Sequence, residues 1–301
     1  MQIYVTKDYQ ELSEFAADFI IGEVEEKPGC VLGLATGSTP EGLYAEIANR
    51  YAEEGIDFSR VATFNLDEYR GLAGDHEQSY RYFMNKHLFS KVNVRPENTH
   101  VPDGTNPDAE LVGEAYEAAI TLAGGIDLQL LGLGHNGHIG FNEPADTFPA
   151  ATHVVDLQES TIQANSRLFN SIDEVPRQAY TMGIGTIMGA KKVLMVVSGE
   201  DKADIVRKVC YGPVTPQVPA SILQFHPDCT VVVDEAAFSK CEEFAEDDGC
   251  GCGDDCDCSG EHHHHHSSRV RSTVVKRCAV RGERLGNFSE PLFYSENRIW
   301  G

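Results

Sequence analysis

Two periodicities alternate along the first 240 residues. Short runs rich in apolar and β-branched residues read as strands: QIYVT at 2–6, CVLGLA at 30–35, VATFNLDEY at 61–69, IDLQLLGLG at 126–134, KVLMVVSG at 192–199 and CTVVVDE at 229–235. Between them, segments 11–27, 41–54, 79–89, 108–123 and 201–212 place apolar residues three and four apart, the spacing of a helix with one buried stripe. Strands apolar throughout, such as VLMVV, suit a sheet covered on both faces. The pattern predicts an α/β fold with a doubly wound, mostly parallel sheet and helices on both faces. Its active site is expected beyond the carboxyl ends of the strands. No fixed-period repeat is visible, which argues against a solenoid.

After residue 240 the character changes. Residues 1–240 hold only Cys30, Cys210 and Cys229, whereas six more cysteines fall between 241 and 278, in a stretch of Asp, Gly and His with few groups able to build a core. A boundary is placed there, with a catalytic domain over 1–240 and an extension over 241–301 that is expected to be disordered. The extension is Cys/Asp/His-rich at first and basic from 269 onward; whether the basic part folds is left open. Its thiols Cys250–Cys258 and the run His262–His266 suit soft metals chemically, but the paired CxxC spacing of a structural zinc site is missing.

The 301 residues carry 47 acidic and 24 basic side chains, a formal charge of −23 that repels nucleic acid and anionic lipid. Two readings stay open: a salt-rich cytosol that screens self-repulsion, or an ordinary acidic protein. Neither a run long enough to span a membrane nor a leader pattern is seen, so the reading is cytoplasmic.

Three stretches carry candidate chemistry. LGLATGSTPEGLYAEI at 32–47 is a strand, a Gly/Ser/Thr turn and a helix. Gly37 lets backbone approach a ligand, Ser38 and Thr39 supply hydroxyls and an N-cap, and Pro40 suits the first helical position. The turn matches neither nucleotide-loop pattern, so a monophosphate is favoured over ATP or NAD. TFNLDEYRGL at 63–72 ends a strand in Asp67 and Glu68. Only one of two consecutive strand residues faces a site; the other is expected to meet solvent or a basic group. A partly buried carboxylate there serves as a general base. LGLGHNGHIGFNEPA at 131–145 is the densest polar cluster. A pair between His138 and Glu143 is expected, the acid orienting the ring and raising its basicity. Zinc held by His135, His138 and Glu143 is the competing idea, weakened by the missing fourth ligand, and no metal is assigned. Arg167 and Lys202 are candidate phosphate cations in a basic-poor chain.

ATGSTP, FNLDEY, GxGHNGHIGFNEP, ANSR and SGxxK, in this order over about 1–240, resemble the glucosamine-6-phosphate deaminase (isomerase) family in its short form. The resemblance implies a Rossmann-like fold and conversion of glucosamine 6-phosphate and water into fructose 6-phosphate and ammonia without a cofactor. It implies that His138, assisted by Asn136 and Glu143, opens the sugar ring and that Asp67 carries a proton between C2 and C1. Gly37, Ser38, Thr39, Arg167 and Lys202 then hold the phosphate, with a lid around Arg167. Larger relatives are hexamers activated by N-acetylglucosamine 6-phosphate. The corresponding stretch here supplies Asp146, His153, Val155 and Asp156, so no activation is expected, and the oligomeric state is left open. Rivals are a 6-phosphogluconolactonase-type hydrolase, disfavoured by Phe141–Pro144, and a sugar-phosphate sensor, disfavoured by the absence of a DNA-reading helix pair.

Overall fold

The structure is a computed structural model that describes residues 1–167, 169–244 and 274–277. In chain order the elements are β1 Gln2–Thr6, α1 Tyr9–Glu26, β2 Val31–Leu34, α2 Thr39–Glu54, β3 Ala62–Asn65, β4 Asp67–Tyr69, α3 Tyr80–Met84, β5 Thr99–His100, α4 Ala109–Leu122 and β6 Leu128–Leu131. There follow β7 His153–Asp156, α5 Glu159–Ser166, β8 Gln178–Thr181, α6 Ile184–Met188, β9 Lys192–Val197, α7 Ala203–Tyr211, β10 Cys229–Asp234, α8 Glu235–Phe238 and β11 Val274–Arg277.

The large sheet runs β11-β1-β10-β9-β6-β2-β3-β5, and every neighbouring pair in it is parallel. Helices flank it. Strands β9 and β10 are buried along their length, Val193–Val197 and Val231–Val233 among the most enclosed residues, as a sheet covered on both faces requires. Each flanking helix follows its sequence pattern. In α1, Asp8 accepts a hydrogen bond from the Glu11 amide at 3.0 Å, and Leu12, Ala16, Ala17, Ile20, Ile21 and Val24 turn one stripe into the core. The helical pattern over 79–89 forms α3 and then widens into a π-helical turn over Asn85–Phe89.

From β2 the chain steps to β3 and then β5, whereas β6, β9 and β10 step the opposite way. The reversal falls between the hydrogen-bonded neighbours β2 and β6, and a crevice opens at such a switch point.

A second, three-stranded antiparallel sheet, β4-β8-β7, was not foreseen. The single strand predicted over 61–69 divides between the two sheets at Leu66. Its amide donates to Leu34 O on β2 at 3.0 Å, while its carbonyl accepts from Met182 at 2.7 Å, just beyond β8. The chain thus leaves the parallel sheet at the carboxyl end of β3 and delivers Asp67 as the first residue of β4. This sheet has its own small apolar cluster, built from Tyr69, Leu72, Leu157, Ile162, Val175 and Ala179.

Past residue 240 the main core continues through Cys241, which is fully buried, and Phe244 stacks on Tyr211 with ring centroids 4.2 Å apart. Four residues of the basic segment form β11, which pairs with β1 at the sheet edge. The cluster Cys250–Cys258 and the run His262–His266 lie outside the described residues. Among the described residues, no helix is long and apolar enough to cross a membrane.

Candidate active site

Four loops meet along the carboxyl edge of the sheet: those after β3, β2, β6 and β9, which are consecutive neighbours. They carry Asp67, Gly37–Thr39, His138 and Lys202 respectively, so the topology places all four predicted groups beyond the carboxyl ends of four adjacent strands.

Asp67 lies across from Thr181 in the antiparallel pair β4–β8 and is only 6% exposed. Burial first, and the neighbouring Glu68 charge second, push its carboxyl up to about 8. A Cβ built on Gly140 would sit 3.6 Å from Asp67 Oδ2 and 2.8 Å from Thr181 Oγ1, so the His138 loop closes directly over the Asp67 carboxyl. Glycine at 140, with φ +58°, is what permits that approach.

Glu68 departs from expectation, facing mainly backbone amides. Its carboxylate accepts from the amides of Tyr69 at 2.8 Å, Tyr80 at 2.9 Å and Arg81 at 3.0 Å, which pins the start of α3. Burial nonetheless outweighs those amides and the Arg81 charge, and raises its pKa.

In the loop after β6, Asn136 Oδ1 accepts from the backbone amide of His138 at 3.1 Å, which identifies the oxygen end of the amide. The same oxygen lies 2.7 Å from His138 Nδ1, and Asn136 Nδ2 donates to Glu143 Oε2 at 2.5 Å. Since Oδ1 only accepts, Nδ1 carries the proton and Nε2 is the basic nitrogen. Glu143 Oε1 is 3.5 Å from Nδ1, so the expected carboxylate–imidazole pair is within ion-pair reach, with Asn136 as the closer, hydrogen-bonded partner between them. The expected rise in basicity does not follow. Burial lowers the His138 pKa, the Glu143 charge opposes this, and Lys202 and His135 add to the lowering. The ring is therefore neutral near pH 7.

His135 turns away from His138, its Nε2 lying 2.5 Å from Asp201 Oδ2. Among the described residues no three His, Cys, Asp or Glu side chains converge as a metal-binding group.

At the turn after β2, Gly37 has φ +105°, and Ser38 precedes α2 without capping it through its side chain. Ser38 thus stands at the N-cap position without the side-chain cap bond expected of it. Pro40 falls at the second helical position rather than the first. Two tyrosines brace the turn: Tyr44 Oη donates to Ala35 O at 2.6 Å, and Tyr9 Oη donates to Thr39 O at 2.8 Å while accepting from the Gly42 amide. Lys202 Nζ donates to Leu133 O at 2.6 Å, and burial lowers its pKa. Arg167 is exposed just after α5. Among the described residues, no hydrogen bond or ion pair ties it to the turn after β2.

Sequence reasoning missed the aromatic wall. Tyr80 lies parallel to Phe141, with centroids 6.1 Å apart and planes 6° apart, and its hydroxyl lies 3.3 Å from that of Tyr69. Tyr80 also lies within electrostatic reach of Thr36 and Asp67, so it stands between the end of β2 and the buried carboxyl. In the sequence its only signal is a Ser-capped short helix, indistinguishable from core packing.

Comparison with known proteins places the chain in a family. Residues 7–232 match the family described as glucosamine-6-phosphate isomerases/6-phosphogluconolactonase. A glucosamine-6-phosphate deaminase of Clostridioides difficile is 53% identical over 240 residues, covering 80% of this chain and 96% of the relative. One from Lachnoclostridium phytofermentans is 57% identical over 232 residues, covering 77% and 98%. Among solved structures, a monomeric glucosamine-6-phosphate deaminase superposes with a TM-score of 0.76 at 44% identity, covering 80% of this chain and all of that one. A 6-phosphogluconolactonase from Trypanosoma brucei, at 21% identity and a TM-score of 0.60, covers 80% and 98% and shares the fold. The chain is a member of the glucosamine-6-phosphate isomerase/6-phosphogluconolactonase family.

Proposed function

We propose that the protein is a glucosamine-6-phosphate deaminase, converting glucosamine 6-phosphate and water into fructose 6-phosphate and ammonia in amino-sugar breakdown. The observation that carries this reading is the buried carboxyl of Asp67 under the loop that holds the His138–Asn136–Glu143 relay. An aldose-to-ketose shift needs one base that reaches two adjacent carbons and a second group that opens the ring, and the crevice supplies both.

In this scheme His138 Nε2 takes the proton of the anomeric hydroxyl and returns it to the ring oxygen, with Asn136 and Glu143 steadying the imidazolium that forms. Asp67, ionised, removes the C2 proton of the open aldose to give an enolamine, then delivers it to C1. The product carries an imine at C2, which water hydrolyses to the ketone with release of ammonia. Gly37, Ser38, Thr39 and Lys202 hold the phosphate, and Arg167 approaches from α5 as part of a lid. Every step uses the protein's own side chains and invokes no cofactor or metal.

We assign catalysis to residues 1–240 and leave the extension 241–301 outside it. A reducing, cytoplasmic setting suits the buried free thiols Cys30, Cys210, Cys229 and Cys241. The lactonase alternative is not favoured: relatives more than half identical over the whole catalytic unit are named deaminases, and the solved lactonases share only the fold. Purified protein is expected to release ammonia and fructose 6-phosphate from glucosamine 6-phosphate. Hydrolysis of 6-phosphogluconolactone without ammonia release from the amino sugar would overturn the reading.

A further inference from the structure

Three contacts bridge the loop after β6 and the loop after β9. Lys202 Nζ donates to Leu133 O at 2.6 Å, Lys202 Nζ lies 3.5 Å from His135 Nδ1, and His135 Nε2 lies 2.5 Å from Asp201 Oδ2. An ammonium has three protons and no lone pair, so the imidazole nitrogen that faces it must be unprotonated. The proton of a neutral ring then sits on Nε2 and goes to Asp201. Asp201 thereby selects the tautomer that presents a lone pair to Lys202. With one ammonium proton on the Leu133 carbonyl and a second aimed at His135, the third is left for a ligand in the crevice.

We propose that His135 and Asp201 are positioning residues that aim Lys202 at the substrate phosphate. The inference rests on the deaminase reading above and adds two residues to it. Neither touches the reacting carbons, so the pair acts on substrate capture rather than on proton transfer. The charged groups that face the ring are Asp201 and Lys202, both on the loop after β9.

The test compares His135→Ala, His135→Gln, Asp201→Ala and the double variant His135→Ala/Asp201→Ala with the unmodified protein. Glutamine keeps one acceptor and one donor. The expected result is a KM for glucosamine 6-phosphate raised about five- to ten-fold in His135→Ala and Asp201→Ala with kcat within about two-fold. His135→Gln should restore most of the loss, and the double variant should be no worse than either single one. Unchanged KM in both alanine variants, or a fall in kcat at constant KM, would overturn the proposal. If the unmodified protein releases no ammonia, the deaminase reading fails instead. The pair is then tested by calorimetric binding of glucosamine 6-phosphate to the same variants, where equal affinities would overturn it.

Discussion

His138 Nδ1 lies 2.7 Å from Asn136 Oδ1, and it is this amide rather than the nearby Glu143 carboxylate that fixes the ring's tautomer. The amide passes orientation from Glu143 to the imidazole, the carboxylate itself standing 3.5 Å from Nδ1, while burial lowers the ring's pKa. A ring-opening group that must accept and return a proton in one cycle benefits from that arrangement.

Replacing Asn136 with aspartate separates orientation from charge. The carboxylate still accepts from Nδ1–H but cannot donate to Glu143, and it adds a negative charge beside the ring. Asn136→Asp is expected to keep kcat within about ten-fold while the His138 pKa moves up by about one unit, read by NMR titration of the imidazole. Asn136→Ala loses the anchor and should lower kcat by about 100-fold. An unshifted titration in the aspartate variant would show that the amide does not govern the ring.

The raised Asp67 carboxyl has a consequence for stability. Its pKa is about 8 in the folded chain and about 3.9 in the unfolded one. Between those values the folded state binds one proton more than the unfolded state, so stability falls as pH rises through this window. Above about 8 the folded protein holds a buried ionised carboxylate. Asp67→Asn, which never ionises, should therefore gain Tm over the parent as pH rises, by about 3 °C or more at pH 9 and by little at pH 4.5. A gain independent of pH would contradict the assignment. By the same logic kcat/KM of the parent should climb through an apparent pKa near 8, as Asp67 must be ionised to act.

The surface bordering β7 bears on regulation. Asp156 is exposed and accepts from Gln178 Nε2 at 2.8 Å, Asp146 is exposed, and His153 Nδ1 turns to Ala151 O at 2.9 Å. Two carboxylates and a histidine committed to backbone make a poor phosphate cradle. Addition of N-acetylglucosamine 6-phosphate is expected to change the initial rate by less than about 1.5-fold, in contrast to the several-fold stimulation of an activated enzyme. Stimulation on that scale would contradict this.

A formal charge of −23 sets a salt dependence. Screening relieves repulsion among exposed carboxylates. Calorimetric Tm should rise by several degrees, about 5 °C or more, between 0.1 and 2 M KCl. A flat series would identify an ordinary acidic surface.

The strands legible in the sequence are those buried on both faces. VLMVV and CTVVVDE carry a signal that needs no partner to interpret, and β9 and β10 stand where those runs fall. The antiparallel sheet was illegible for the opposite reason. β7 is half-exposed, β8 is four residues of mixed polarity, and β4 is split from β3 only by where Leu66 finds its hydrogen-bond partners, on β2 and beyond β8. Asp67, His138 and Glu143 stood out because carboxylates and histidines directly after apolar strands are chemically conspicuous. The role of Glu68 was hidden because two of its amide partners, Tyr80 and Arg81, come 12 and 13 residues later. The interposed Asn136 and the wall made by Tyr80 depend on loop geometry that neither periodicity nor composition encodes.

The most direct test of the account is ammonia release by Asp67→Asn at saturating glucosamine 6-phosphate, with binding of the same sugar phosphate measured calorimetrically. The account predicts a fall in kcat of at least about 1,000-fold with Kd within about three-fold of the parent, since an amide fills the buried site but carries no proton from C2 to C1. Turnover within ten-fold of the parent would contradict it.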